Sequence, residues 1–161
     1  MAITGRTDSL NGLVALGATV KDLTGTPLGA RSYRYADYFT ALAAATVDYP
    51  CTVAVLELEP QEGFQTLAQM GNSPVDKFNV IHFLLHYQVA GTASFKTKEP
   101  DVVTMNDHYM DALAAFAANG GWAVVSHGKV NMMKPLPAVK LPFEGITYHA
   151  SVFKYGVQIF K

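Results

Sequence analysis

Residues 80–91 read VIHFLLHYQVAG, and the fold of the chain turns on whether they form a helix or a strand. On a helix, His82 and His86 would lie about 6 Å apart on one face, a common metal-ligand pair. On a strand the same two positions stand about 13 Å apart. The alternation decides between them. Ile81, Phe83, Leu85, Tyr87 and Val89 fall on one side, and His82, Leu84, His86 and Gln88 on the other, which is the period of a half-buried strand. Wound as a helix, the segment would be apolar nearly all round, with no polar stripe. The expectation is a strand with the first set in the core and both histidines on an exposed or partner-facing side. Zinc ligands need nitrogens about 2 Å from the metal, so the two histidines are too far apart to share one ion.

Upstream, YADYFTALAAATVDYP (residues 35–50) is rich in good helix formers, with Tyr35, Tyr38, Phe39 and Leu42 on one helical face. Pro50 bars helix at the residue before it, so this helix should stop near Thr46. CTVAVLELEP (51–60) is β-branched and apolar and is closed by Pro60, the pattern of a strand. Residues 60–78 and 92–104 read as polar loops. Thr104 is a candidate N-cap with Asp107 three residues on, opening a second helix whose buried face is Tyr109, Leu113, Phe116 and Ala117. WAVVSHGKVNMM (122–133) reads as a strand, bent or bulged at Gly128. KPLPAVKLP (134–142) should be irregular, because Pro135, Pro137 and Pro142 each remove a backbone donor. In GITYHASVFKYGVQIFK (145–161) the apolar phase flips near Ser151 and Val152. That predicts a bulge, a break, or a strand that changes its neighbours.

The element order is α-β-β-α-β-β. It predicts an α+β fold, a mixed and mainly antiparallel sheet of about four strands packed against two helices over residues 35–161. Residues 1–34 carry glycines at 5, 12, 17, 25 and 29. Gly12 and Gly17 interrupt the weak helical pattern of Leu10, Leu13, Val14 and Val20, each costing about 1 kcal/mol against alanine. This segment is expected to be a loose N-terminal arm that orders on a partner.

Composition bounds the function classes. The 161 residues suffice for one domain with its own core, half of them are hydrophobic and only 16% are charged. Charged residues usually make up about a quarter of a soluble chain, so the shortage suggests surface buried against another chain. A net charge of −1 gives no reason to expect capture of nucleic acid. The N-terminus lacks the pattern of a signal peptide, and no stretch approaches the roughly 18 apolar residues of a membrane helix. A single cysteine, Cys51, excludes an internal disulfide framework and reads as a buried small hydrophobe. The expectation is assembly in a cytoplasm.

Candidate chemistry is sparse. Glu57 and Glu59 stand two apart on a strand end, where a solvated edge explains them better than a carboxylate pair for glycoside cleavage. A metal could still be shared across strands by His82 or His86 with His127 or His149. An aromatic pocket around Trp122 and Tyr148 would suit a small-molecule binding module. No phosphate loop, dinucleotide fingerprint, nucleophile elbow or zinc signature is present. No catalytic residue, cofactor site or metal site is therefore assigned.

The chain resembles the tail terminators, or tail-tube capping proteins, of long-tailed bacteriophages of the lambda type. The resemblance rests on a helix leading through an aromatic-proline step into the strand of DYPCTVAVLEL, then the alternating NVIHFLLHYQVAG. The helix NDHYMDALAAFAANG follows, and then a closing strand, GITYHASVFKYGVQIF. It covers residues 35–161, and the long lead-in and the proline-rich 134–142 depart from it. The resemblance implies a virion protein of the neck or tail that forms a ring, usually a hexamer. Such a ring stops tail-tube polymerisation and docks to the head connector, so its partners would be itself, the tail-tube protein and a head-completion or connector protein. A head-completion protein or a tail-tube subunit are rivals of the same class. A small homo-oligomeric metal-dependent α+β enzyme using His82, His86 or His127 is the rival from a different one.

Overall fold

The computed structural model describes residues 5–57, 76–88, 95–118, 128–132, 136–143 and 145–159. Helix α1 (Arg6–Thr19) leads through a short 3-10 turn (Gly29–Arg31) to strand β1 (Ser32–Arg34) and helix α2 (Tyr35–Ala43). Strands β2 (Cys51–Leu56) and β3 (Asp76–Gln88) follow, then helix α3 (Phe95–Ala118) and strands β4 (Gly128–Met132), β5 (Leu136–Phe143) and β6 (Ile146–Ile159). The fold is α+β. The strands form one sheet in the order β1-β2-β3-β6-β4, and β5 also pairs with β6. Among the described strands β1 and β2 run parallel and the other pairings are antiparallel. The expected α-β-β-α-β-β order survives as α2, β2, β3, α3, β4 and β6, with α1, β1 and β5 added to it.

Each face of the sheet carries its own core. On one, Leu13 and Leu16 of α1 and Met105 and Tyr109 of α3 pack on Ala54, Val80, Leu84, Phe153 and Val157. On the other, Tyr38 of α2 packs with Cys51, Val53, Phe83, Leu85, Tyr148 and Ala150. A strand buried on both faces cannot divide into an inner and an outer set, so the half-buried reading of β3 needs correcting. The alternation is real, but it sorts residues between two interiors.

The N-terminal segment is also corrected. Instead of a loose arm, residues 6–19 form a 14-residue helix, α1, with Leu13, Leu16 and Val20 fully buried. Burying a leucine stabilises by about 2 kcal/mol, enough for the packed face to outweigh the local cost of two glycines. Gly17 itself is a site of close approach. A Cβ there would collide with Thr52 Oγ1 and Ser32 Oγ and lie 3.1 Å from His82 Nε2. Beyond α1, Asp22 Oδ1 accepts from the backbone N–H groups of Thr24 and Thr26, while Asp22 Oδ2 meets Arg31 Nη2 at 2.7 Å.

Two further boundaries differ from expectation. Helix α3 begins at Phe95, so residues 95–104 are helical where a loop is predicted, and Thr104 lies inside the helix instead of capping it. Pro100 is the sixth residue of α3, past the first turn, so it forgoes the bond to the Lys96 carbonyl and its ring crowds that carbonyl. The proline-rich stretch likewise forms strand β5, which among the described strands pairs only with β6. A strand paired on one side tolerates proline, and the register slips between Leu136 and Val139, around Pro137.

The phase flip in the last strand resolves without a break. β6 runs unbroken from Ile146 to Ile159, and along one flank it changes neighbours from β5 to β4. Tyr148 and Ala150 are buried on the α2 side, whereas Phe153, Tyr155 and Val157 are buried beneath α1 and α3. The two halves belong to opposite faces of one strand. A bulge lies instead in β3, where the register slips between Leu85 and Tyr87. It sets Tyr87 opposite His149 and Gln88 opposite Tyr148, exchanging the faces that alternation assigns to Tyr87 and Gln88.

Candidate functional site

β3 carries both histidines to the side of α1 and α3, where His82 is fully buried and His86 is 8% exposed. The exposed or partner-facing side expected for them is corrected accordingly, because α1 and α3 cover it. Each histidine has a separate niche. His82 Nδ1 lies 2.7 Å from Tyr109 Oη, which lies 2.6 Å from Tyr155 Oη. The Tyr109 ring stacks on Phe153 with centroids 3.7 Å apart. His82 Nε2 has no hydrogen-bond partner among the described residues. Beside it, Thr52 Oγ1 donates to Ser32 Oγ at 2.9 Å and Ser32 Oγ donates to the Val14 carbonyl at 2.7 Å, linking the sheet to α1. Burial opposes the imidazolium and lowers the His82 pKa to about 3. Burial raises the Tyr109 and Tyr155 hydroxyls above the ordinary tyrosine value.

In the second niche His86 Nε2 meets Ser151 Oγ at 2.8 Å, and Ser151 Oγ donates to Asn106 Oδ1 at 2.5 Å. A serine hydroxyl has one proton. Since Asn106 receives it, His86 must carry its proton on Nε2 and donate it to Ser151. The imidazole is thus a donor to the serine and not the base that would make it a nucleophile, and Ser151 is fully buried. Burial, with a further contribution from His149, lowers the His86 pKa to about 4. His149 itself packs against Tyr87, ring centroids 4.8 Å apart.

On the opposite face the hydroxyls of Tyr38, Tyr49 and Tyr148 converge. Tyr38 Oη lies 2.5 Å from Tyr148 Oη and 3.1 Å from Tyr49 Oη, and Gln88 Nε2 donates to Tyr49 Oη at 2.8 Å. Burial raises the Tyr148 hydroxyl to about 12. Trp122, the other half of the expected aromatic pocket, lies outside the described residues, as do His127 and Glu59. Cys51 is buried in this core as expected, and burial pushes its thiol pKa up. Glu57 is not on a solvated edge. Its carboxylate accepts from Lys154 Nζ at 2.6 Å and Asn79 Nδ2 at 2.7 Å, with the Glu57 side chain only 12% exposed.

Sequence reasoning paired neither His82 with Tyr109 nor His86 with Ser151. The α3 period did place Tyr109 inward, but its partner is set by how α3 lies across the sheet. Chemically, these groups act as internal hydrogen-bond links that fasten α1, α3 and β6 to β3. Among the described residues no three His, Cys, Asp or Glu side chains gather as metal ligands, and no helix is long and apolar enough to cross a membrane. Neither a known protein family nor a curated protein matches this chain.

Proposed function

We propose that this chain is a structural virion protein of a long-tailed phage, a tail terminator that forms a ring closing the tail tube and docking it to the head connector. A homohexamer is the expected ring. Its partners are further copies of itself, the tail-tube protein and a head-completion or connector protein, with assembly in the host cytoplasm. The identification rests on the pattern of elements from Tyr35 onward. The observation that carries self-assembly is the outward side of α3, where Val103 is 51% and Met110 40% exposed, in a chain with only 16% charged residues. The polar groups best suited to chemistry, His82, His86 and Ser151, are buried and engaged inside the fold, which favours a scaffold over an enzyme.

Native mass spectrometry and negative-stain microscopy of the purified chain test this reading. A single closed ring of about six subunits is expected, and adding it to polymerising tail-tube protein should end tube growth. A tube subunit would instead grow past one ring. A chain that stays monomeric at tens of micromolar and leaves tube length unchanged overturns the reading.

A further inference from the structure

Consecutive residues of a strand point to opposite faces, and β3 departs from that rule at His86 and Tyr87. The register slip leaves His86 without a ladder partner and sets Tyr87 against His149. His86 bonds Ser151, while Tyr87 packs on the His149 ring. Positions 149 and 151 of β6 share a face, so both side chains project toward α3. Bulges re-aim side chains in this way and recur beside functional sites. Here the two residues line one cavity of about 220 Å³.

From the other side α3 contributes Lys98, Asp101, Val102 and Met105, spaced three and four apart and therefore on one helix face. Val102 and Met105 are buried, Asp101 is half-buried and Lys98 is exposed, which gives the cavity an apolar floor and a charged rim. Leu23, Pro50 and Tyr49 complete it, and the Tyr49 hydroxyl is already engaged with Tyr38 and Gln88. Two polar atoms are not engaged. His86 Nδ1 and Tyr87 Oη are both buried and have no hydrogen-bond partner among the described residues. Because the His86 imidazole gives its Nε2 proton to Ser151, Nδ1 presents a bare lone pair and only accepts. The Asp101 carboxylate also only accepts and the Lys98 ammonium only donates. Neither is in an ion pair among the described residues. Buried polar atoms without partners are rare, and a few of them converging on one apolar-floored cavity is the usual make-up of a small-molecule site.

We propose that the cavity between the His86–Tyr87 bulge and the first turns of α3 binds a small amino acid as its zwitterion. The ammonium group donates to His86 Nδ1 and the Asp101 carboxylate. The ligand carboxylate accepts from Lys98 and the Tyr87 hydroxyl, and a short apolar side chain rests on Val102 and Met105. Simpler ligands leave groups opposed. A plain amine brings a cation beside Lys98 with no anion to meet it, and a plain carboxylate faces Asp101 and the His86 lone pair. Size sets the upper bound. A cavity of about 150 Å³ holds benzene, so one of about 220 Å³ takes about eight or nine non-hydrogen atoms. The ligand is held and not transformed, since the neighbouring Ser151 hydroxyl gives its proton to Asn106. This site stands apart from the assembly reading and does not depend on it.

The experiment titrates the full-length protein with L-2-aminobutyrate, and separately with n-propylamine and with butyrate, which are the same molecule without its carboxylate or without its ammonium group. Calorimetry should give one saturable site per chain for L-2-aminobutyrate, with a dissociation constant of about 1 mM or tighter. Nitrogen-15 NMR should show the His86 Nδ1 resonance moving with occupancy as its lone pair accepts a proton donor. Each of the two lesser probes should bind at least tenfold more weakly. Asp101→Asn and Lys98→Gln should each weaken L-2-aminobutyrate at least tenfold, and because neither residue is buried their melting curves should match the parent protein. Asp101→Asn should leave butyrate no weaker and Lys98→Gln should leave n-propylamine no weaker, a crossed pattern that general loss of structure does not produce. Absence of saturable binding, binding that leaves the His86 resonance in place, or full affinity in both variants overturns the site. Propylamine or butyrate binding as tightly as L-2-aminobutyrate overturns the zwitterion. Rings that bind none of the three probes sink this proposal alone, whereas a monomer that binds L-2-aminobutyrate supports it while the ring reading fails.

Discussion

His86 Nε2 donates to Ser151 Oγ across 2.8 Å, and Ser151 passes its own proton to Asn106. This chain ties β3 to β6 and β6 to α3 through residues 65 and 45 positions apart in sequence. Ser151→Ala strands the buried His86 N–H that donates to the Ser151 hydroxyl. An unsatisfied group of this kind costs about 1–3 kcal/mol, so the urea midpoint should fall markedly. Nitrogen-15 NMR of the imidazoles should find the His86 proton on Nε2 in the parent protein. A proton on Nδ1 would refute the assigned direction of the chain.

Acid should destabilise this fold earlier than carboxylate titration alone would. The folded pKa values of His82 and His86 are lowered to about 3 and about 4 from 6.5. Between those limits the unfolded chain binds more protons than the folded one. Stability is therefore complete above pH 6.5 and is lost as pH falls, by up to about 1.4 kcal/mol per pH unit for each histidine. Urea unfolding at pH 7.0, 6.0 and 5.0 reads this before most carboxylates protonate. A midpoint that stays flat across that range disproves it.

Gly17→Ala improves helix propensity by about 1 kcal/mol and should nonetheless destabilise. The added methyl group has no room against Thr52, Ser32 and His82, and overpacking of this kind costs about 1–3 kcal/mol or more. Thermal melts should show a lower midpoint for Gly17→Ala, partly recovered when Thr52→Ala and Ser32→Ala are added.

Pro100→Ala should act the other way. Because α3 begins at Phe95, alanine restores a backbone donor to the turn around Lys96 and relieves the ring's crowding there, for a gain of about 1–3 kcal/mol. Were residues 95–103 a loop, the same change would loosen the unfolded and folded chains alike and the melting temperature would not rise.

Much of the element order was legible because periodicity is local. The alternation through Val80–Gln88, the proline-bounded CTVAVL and the alanine-rich helices each carry their own signal over a few residues. The errors share one cause. Gly12 and Gly17 lower the helix propensity of α1, and Pro137 and Pro142 argue against a strand, yet both segments form regular elements because of what lies beside them. Leu13 and Leu16 gain a packed sheet, and β5 gains β6. The flip at Ser151–Val152 was visible, but only the two-sided packing reveals that it separates two interiors.

The histidine pair divides the two kinds of information most clearly. Sequence by itself determined that residues 80–88 are a strand, and that His82 and His86 stand four positions apart along it instead of one turn apart on a helix. It also determined the low charge, 16% of the residues. Only the tertiary structure decided that α1 and α3 cover these histidines, that Tyr109 and Ser151 are their partners, and that the bulge turns Tyr87 and Gln88 to opposite faces. Period-2 alternation sorts side chains onto two sides of a strand, but whether a side meets water or a helix depends on contacts between residues far apart in the chain.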